Sequence, residues 1–182
     1  MTDFTTKAIK ESFMKLINEK PINQITIKDI TSNCSISRNT FYYHFEDMPS
    51  LVEEIIMDMA NEIISEYPTI DSFEHGLQVG IEFAMKNKRA AMHIFNSHQR
   101  DIYERCLMKV CNHVVRVYFD TVFKKSKLSN SEKELMINFY KCACFGIIVD
   151  WCDSGMKEES AEKFKQMCEL RRGMVESFFG IK

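Results

Sequence analysis

The stretch TIKDITSNCSISRNTFYYHFEDMPSLVEEI, residues 26–55, decides the fold. Thr26 directly precedes a short segment whose apolar residues have helical spacing. Asp29 follows Thr26 by three residues, and this spacing is typical of a helix N-cap with a capping box. After a tight connection at 35–36, Ser37 is placed to cap a second short helix. Two short helices joined by a tight turn predict a helix-turn-helix.

The apolar side chains of this stretch are spaced so that they can form one small core, made of Ile27, Ile30, Ile36, Phe41, Phe45 and Leu51. The outer face of the second helix then carries polar and aromatic side chains. Arg can bond a guanine edge through two hydrogen bonds, Asn can do the same with adenine, and hydroxyl groups reach phosphate oxygens. We therefore predict a DNA-binding surface formed by Thr26, Lys28, Ser37, Arg38, Asn39, Thr40, Tyr42, Tyr43 and His44.

Several of these residues have an ordinary structural alternative: Arg38 and Asn39 could form a solvated face, and Tyr42 could be a partly exposed aromatic residue, although the motif favours DNA contact for all three. Tyr43 could equally be a partly exposed aromatic residue without a DNA contact, and His44 could equally cap a helix end. The charge of the chain gives DNA binding no support, because the net charge is −2 and residues 1–50 hold six basic and six acidic side chains. Any affinity for DNA must therefore come from a few placed groups rather than from a basic surface.

The rest of the chain is predicted to be helical. Gly (6) and Pro (3) are scarce, and helix-forming residues are abundant. Apolar residues at helical spacing predict a first helix over 4–17 and further helices at about 49–67, 70–87, 88–96, 99–125, 131–154 and 159–179. We therefore predict an all-α protein of about nine helices. A three-helix DNA-binding domain occupies 1–48, and a larger helical domain occupies 49–182.

The helix-turn-helix residues match, in order and spacing, the pattern of the TetR family of transcriptional regulators, which the chain therefore resembles. The matching positions are Thr26, Asp29, Ile30, Ile36, Ser37, Thr40, Phe41, Tyr42, His44, Phe45 and Leu51. One departure is Met48, where many members have a Lys that touches a phosphate. This departure at Met48 puts the phosphate contact in doubt for this chain.

A second resemblance lies near the other end of the chain. The segment NFYKCACFGIIVDWCDSGMKEESAEKF, residues 138–164, is similar to the C-terminal domain of a TetR branch common in Gram-positive bacteria, and Asp150, Trp151, Gly155 and Met156 match it. The resemblance implies a homodimeric, cytoplasmic repressor that binds a palindromic operator in double-stranded DNA and is released by a small-molecule effector. An alternative is a helical co-activator or interaction module whose DNA binding is weak or lost.

The C-terminal helices suggest where the effector and the partner subunit bind. The Met- and Phe-rich region 73–119 is first of all expected to form core, and the resemblance implies an effector pocket there as the alternative, with Phe83, His93, Tyr103 and His113 as candidates. The helix at 131–154 is apolar over a wider face than docking to one neighbour requires. We predict a dimer interface that includes Phe139, Phe145, Ile148 and Trp151.

Other chemistry is not expected. The seven Cys form no C-x-x-C pair, which favours free thiols in a reducing compartment. The pairs His93 with His98 and Cys106 with Cys111 are five residues apart, whereas helical neighbours are three or four apart, so a metal site is not predicted. No nucleophile with an adjacent base is visible, so we predict neither an enzyme nor a cofactor. The best apolar run, Ala143–Trp151, is interrupted by Asp150, and no membrane span is predicted.

Overall fold

The computed structural model describes residues 2–69, 73–123, 128–159 and Gln166. Within these ranges the chain is all-α, as predicted, with no strand. The helices are α1 (Thr2–Glu19), α2 (Ile27–Asn33), α3 (Arg38–His44), α4 (Met48–Glu66), α5 (Phe73–Lys86), α6 (Lys88–Phe95), α7 (Arg100–Phe123) and α8 (Asn130–Asp153). A 3₁₀ turn at Ile22–Gln24 joins α1 to α2. The helix predicted at 159–179 lies almost wholly outside the described residues.

The chain forms two compact units. Unit 1 consists of Met1–Asp58 and Asn87–Leu107, and unit 2 consists of Met59–Lys86 and Met108–Lys182. Unit 1 therefore contains α6 and the first residues of α7 in addition to α1–α3 and the beginning of α4. The predicted division at 48/49 follows chain order and stays a prediction.

The core of unit 1 is built on the helix-turn-helix. Its largest fully buried side chains are Phe13, Phe41, Ile9, Ile17, Ile30 and Leu51. Inside this core, the Ser12 hydroxyl donates a hydrogen bond of 2.9 Å to the carbonyl oxygen of Ile30. This bond fixes α1 against α2 and satisfies a buried polar group that would otherwise cost about 1–3 kcal/mol.

The helix α6 is held against α1 by a long-range hydrogen bond. The Nδ1 atom of His93 lies 2.7 Å from the carbonyl oxygen of Ile17. A carbonyl only accepts hydrogen bonds, so His93 is the donor and Nδ1 carries the proton. Tyr103 packs into the same core with 6% of its surface exposed, and burial raises its pKa to about 12.

The helices α7 and α8 pack on each other in unit 2. Val115, Phe119 and Ile137 form a buried cluster, and the rings of Phe119 and Tyr140 lie 4.8 Å apart. At the edge of the cluster, the Arg116 guanidinium donates two hydrogen bonds to the Glu134 carboxylate, at 2.7 and 2.9 Å. Planar, two-point pairing of this kind fixes geometry as well as adding attraction.

The start of α8 differs from the sequence prediction. The spacing Ser131-x-x-Glu134 predicts a capping box at the start of the helix at 131–154, but the capping box in the structure joins Ser129 to Glu132. Both pairs fit the same four-residue pattern, and Glu134 is instead occupied by its ion pair with Arg116. Gly155 after the predicted helix is a typical stop signal, and the structure agrees: α8 ends at Asp153 and Gly155 has a φ of +78°, a conformation that favours glycine.

The helix α5 packs closely against α4 at Gly76, and this close approach leads to a prediction about stability. A Cβ atom on Gly76 would lie 3.0 Å from Cγ2 of Ile63 and 3.2 Å from Cβ of Tyr67. We expect Gly76→Ala to lower the free energy of unfolding by about 1–2 kcal/mol, because overpacking outweighs the better helix propensity of Ala. The matched control is Gly80→Ala on the same helix, where the nearest atom would be 3.6 Å away. Urea unfolding should show Gly80→Ala unchanged or stabilised by up to about 1 kcal/mol, and equal losses in both variants would contradict the packing described.

Candidate nucleic-acid interface

The first helix of the candidate interface is fixed by its capping box. The Thr26 hydroxyl accepts a hydrogen bond from the Asp29 backbone N–H at 3.1 Å, and the Asp29 carboxylate accepts one from the Thr26 N–H at 2.9 Å. The predicted box is therefore confirmed. Hydrogen bonds from Thr26 and then from Lys20 hold the pKa of Asp29 below its ordinary value. The carboxylate is thus charged at the start of α2, where the helix dipole favours a negative group.

The turn between α2 and α3 places one residue in the left-handed region. Ser35 has a φ of 56°, and the N–H of Ile36 then donates to the carbonyl oxygen of Thr31 at 2.9 Å. This reversal brings Ser37 to the start of α3, where its hydroxyl accepts from the Thr40 N–H at 3.0 Å. The predicted N-cap at Ser37 is confirmed.

The two faces of α3 differ sharply in exposure. Phe41 is 0% exposed and Phe45 3% exposed, and their ring centroids lie 5.7 Å apart in the core. On the outer face, Tyr42 is 56% exposed and Tyr43 is 81% exposed. Arg38 and Asn39 are exposed at the start of the same helix. The apolar residues that hold α3 in place and the polar residues that could read DNA therefore lie on different sides of it.

The remaining predicted contact residues lie around this face. Lys28 on α2 and Thr26 at its start are exposed, and Thr40 is half-buried with its hydroxyl 2.8 Å from that of Ser37. His44 is half-buried, and its Nδ1 atom lies 3.2 Å from the Thr6 hydroxyl on α1. His44 therefore ties the end of α3 to α1, and its role in binding DNA stays a prediction.

Met48, the departure from the TetR pattern noted in the sequence, is the first residue of α4. Met48 is half-buried and packs against the core of unit 1. The position therefore serves packing in this chain. The start of α4 is capped by Asp47, whose carboxylate accepts a hydrogen bond of 2.8 Å from the Ser50 N–H.

Sequence reasoning missed one residue that positions this surface. The ammonium group of Lys10 on α1 pairs with Glu54 at 2.7 Å and with Asp58 at 2.5 Å, both on α4, and lies 6.0 Å from the Phe45 ring centroid. Burial alone would lower the pKa of Lys10, but the hydrogen bonds and charges of Asp58 and Glu54 outweigh it and raise the pKa. These contacts span 44 and 48 residues, so no local spacing could have indicated them.

The predicted interface residues of α8 do not share one face. The exposed residues recur every three or four positions and include Leu135, Phe139, Cys142, Gly146 and Asp150, so they form one stripe along the helix. Phe139, 67% exposed, lies in this stripe, and so does Leu135, 66% exposed, which the sequence analysis missed. Its position four residues before Phe139 is the signal that could have found it.

The other three predicted interface residues, Phe145, Ile148 and Trp151, are half-buried and lie off this stripe. The indole N–H of Trp151 donates to the carbonyl oxygen of Lys157 at 3.0 Å. This bond ties the end of α8 to the segment after it. The place of these three residues in a dimer interface stays a prediction.

The four predicted effector-binding residues fall in different units. His93 and Tyr103 belong to unit 1 and are engaged in its core as described above. In unit 2, Phe83 is 38% exposed, and Nε2 of His113 lies 2.7 Å from the side-chain oxygen of Asn61. The structure therefore does not gather the four residues within one unit, and their role stays a prediction.

Among the residues that the structure describes, no group of three or more His, Cys, Asp or Glu side chains could hold a metal ion.

One described helix, α8, is long and apolar enough to cross a membrane by length and composition. The sequence predicted no membrane span because Asp150 interrupts the apolar run. Three charged residues of α8, Glu132, Lys133 and Glu134, lie near its start, so the rest of the helix is long and apolar enough to meet this criterion. One helix of this kind is weak evidence for a membrane span, because the core helix of a soluble protein has a similar length and composition.

A capped helix, a tight turn and a second capped helix with an exposed polar face define unit 1 as a helix-turn-helix head. Comparison with known proteins agrees. Residues 11–55 match the profile described as "Bacterial regulatory proteins, tetR family", and residues 71–173, more than half of the chain, match "Transcriptional regulator C-terminal region" of the same family. The chain belongs to the TetR family of transcriptional regulators.

Individual relatives are more distant. An uncharacterized helix-turn-helix regulator of Bacillus subtilis, YxbF, is 29% identical over 75 residues, which span 41% of this chain and only 19% of that protein. The fold is similar to that of the dihydroxyacetone kinase operon activator DhaS, with a TM-score of 0.67, 20% identity and 97% of each chain covered. It is also similar to a TetR regulator from Rhodococcus sp. RHA1, with a TM-score of 0.65, 12% identity, and 93% of this chain and 97% of the other covered.

Proposed function

We propose that the chain is a homodimeric repressor that places α3 of each subunit in a major groove of a palindromic operator. The observation that carries the proposal is the exposed outer face of α3, with Arg38, Asn39, Tyr42 and Tyr43 opposite a fully buried Phe41. A two-fold dimer would set two half-sites about 34–36 Å apart. A dimer that covers an operator within a promoter would exclude the polymerase by its bulk.

Within this surface we assign different tasks to different residues. Arg38 and Asn39 have the donor and acceptor groups that distinguish base edges, and they are the proposed source of sequence preference. Lys28, Thr26, Ser37 and the Tyr42 hydroxyl are proposed to contact the DNA backbone, which sets position but not sequence. Tyr43, with more of its surface exposed than Tyr42, completes the surface.

The dimer is proposed to form on the exposed stripe of α8. An aromatic and an aliphatic residue, Phe139 and Leu135, are uncovered there. Beside them, a Cβ atom at Gly146 would meet nothing within 4 Å, so the helix surface is open at that point. A two-fold axis brings the same stripe of a second copy against it. The copy would cover the apolar side chains, which otherwise remain in water.

Release from DNA is proposed to follow effector binding in unit 2. Because α4 contributes residues to both units, a ligand that shifts α4 would change the separation of the two heads. The ligand must bind the released form more tightly than the DNA-bound form, since equal affinity shifts no equilibrium. A small molecule with an apolar body suits the composition of these helices. As a repressor, the protein would act in the cytoplasm.

The DNA surface is tested by fluorescence anisotropy on the region upstream of the protein's own gene. We expect Arg38→Ala to weaken operator binding by about 1–3 kcal/mol and to relax one base preference. Lys28→Ala should weaken operator and unrelated DNA alike and reduce the salt dependence. The matched control is Arg89→Ala, because Arg89 is equally an exposed Arg of unit 1 but lies on α6.

Two outcomes would contradict the assignment. Unchanged affinity in both Arg38→Ala and Lys28→Ala would mean that α2 and α3 do not carry the contacts. Failure of the wild-type protein to enrich any sequence from a random DNA pool would favour the alternative of a helical interaction module with weak or lost DNA binding.

A further inference from the structure

The ammonium group of Lys10 joins three helices of unit 1. It donates hydrogen bonds of 2.7 Å to Glu54 and 2.5 Å to Asp58 on α4. It also lies 6.0 Å from the ring centroid of Phe45, the C-cap residue of α3. The Lys10 side chain is 17% exposed, whereas the Glu54 and Asp58 side chains are 46% and 52% exposed. The pairs Lys10–Glu54 and Lys10–Asp58 together form the Lys10 clasp.

The Lys10 clasp holds two successive turns of α4. Glu54 and Asp58 are four residues apart, so they lie on the same face of the helix, one turn from each other. The helix α4 also packs against the core of unit 1 through the buried Leu51 and Val52. Apolar packing has little directional preference, whereas charge-assisted hydrogen bonds fix both distance and orientation. The apolar residues therefore attach α4 to the head, and the clasp fixes its direction.

The clasp lies at the end of the part of α4 that belongs to the head. Asp58 is the last α4 residue of unit 1, and the helix continues through unit 2 from Met59 to Glu66. Between Leu51 and Glu66 the helix contains no Pro or Gly, the residues at which sharp kinks usually occur. A change in the direction of α4 at the clasp would therefore be carried along the helix into unit 2.

We propose that Lys10 is a positioning residue that sets which half-site spacing the dimer accepts, because its clasp fixes the direction in which α4 leaves the head. The inference rests on the proposed function, in which two heads of a homodimer bind the half-sites of a palindromic operator. One base pair more or less changes the separation of the half-sites by about 3.4 Å and their relative rotation by about 35°. Heads held by the clasp distinguish these spacings, whereas heads that rock on α4 tolerate several.

The inference is tested with the full-length protein on operators that differ only in spacer length. The half-sites are those that the wild-type protein enriches from a random DNA pool, and the spacer between them is shortened or lengthened by one base pair. Fluorescence anisotropy gives the dissociation constant for each operator, and the readout is the ratio of the constant at a changed spacing to that at the best spacing. The ratio should be about tenfold or more for the wild-type protein and about threefold or less for Lys10→Met. Both constants come from one preparation, so an unfolded fraction affects them equally.

Three further variants separate the clasp from other effects of substitution. Asp58→Asn removes one charge at an exposed position and should lower the ratio in the same direction, even where Lys10→Met fails to fold. The double variant Lys10→Glu with Glu54→Lys exchanges the charges of one pair and should restore most of the wild-type ratio. The matched control is Lys7→Met on the same helix, whose side chain is 74% exposed and lies 4.0 Å from Glu11. It should keep the wild-type ratio.

The outcomes distinguish a failure of this inference from a failure of the proposed function. A wild-type ratio that stays unchanged in Lys10→Met or in Asp58→Asn overturns the role of the clasp and leaves the homodimeric repressor in place. An equal fall in Lys7→Met, or no recovery when the charges are exchanged, overturns it as well. A wild-type protein that enriches no paired half-sites contradicts the proposed function itself, and the inference falls with it.

Discussion

Phe41→Ala should lower the free energy of unfolding of unit 1 by about 3–5 kcal/mol, because the ring is fully buried in the core beneath the recognition surface. The Phe41 ring also contacts the rings of Tyr42 and Phe45, each at 5.7 Å between centroids. A loss of this size is a large fraction of the roughly 5–15 kcal/mol that stabilises an ordinary domain. Operator binding should fall with it, since the DNA-binding side chains depend on α3 being folded.

Tyr43→Ala separates folding from DNA contact. Tyr43 is also aromatic, two residues further along α3, but it is 81% exposed. Its removal should change stability by no more than about 0.5 kcal/mol. Thermal unfolding by circular dichroism measures the first effect, and anisotropy on operator DNA measures the second. If Tyr43→Ala destabilised the protein as much as Phe41→Ala, the division of α3 into a buried and an exposed face would be wrong.

Phe139→Glu should convert the proposed dimer largely to monomer. In a two-fold interface the new carboxylates of both copies would be buried in an apolar contact, which disfavours charge. For a central aromatic residue we expect a cost of about 2–4 kcal/mol, or a roughly 30- to 700-fold increase in the dimer dissociation constant. Sedimentation velocity over a range of protein concentrations measures this constant.

The same substitution at another exposed phenylalanine provides the control. Phe4 on α1 is 85% exposed, more than the 67% of Phe139. Phe4→Glu should leave the dissociation constant unchanged, because it alters the same kind of side chain outside α8. An unchanged dimer in Phe139→Glu would reject the stripe of α8 as the interface. Equal weakening in both variants would indicate a general effect of charge.

Local patterns in the sequence predicted the elements of unit 1 well. The caps at Thr26 and Ser37 could be predicted because each involves a residue three positions away. The burial of Phe41 followed from the same short-range spacing. The same kind of pattern failed at the start of α8, where two overlapping capping boxes fit and a long-range ion pair of Glu134 decides between them.

Contacts between distant residues could not be predicted in this way. The bonds of Lys10 to α4 and of His93 to Ile17 join residues 44 to 76 positions apart. The charge and polarity of these side chains are equally compatible with exposure to solvent. The residues of the exposed stripe of α8 were also predicted only in part. A helix that is apolar over a wide face does not indicate which side of it the neighbouring helix covers. Phe139 was identified, while Leu135 and Gly146 were not.

The helix α3, which is proposed to read the DNA, has only seven residues. Isolated helices shorter than about 12–15 residues are marginal in water, even with favourable sequences. A peptide cut from this region would therefore be mostly unfolded and would lose the arrangement of Arg38, Asn39 and Tyr42. The proposed DNA-reading surface is a property of the whole head, so grafting it onto another protein would require Phe41, Phe45 and the helices that bury them.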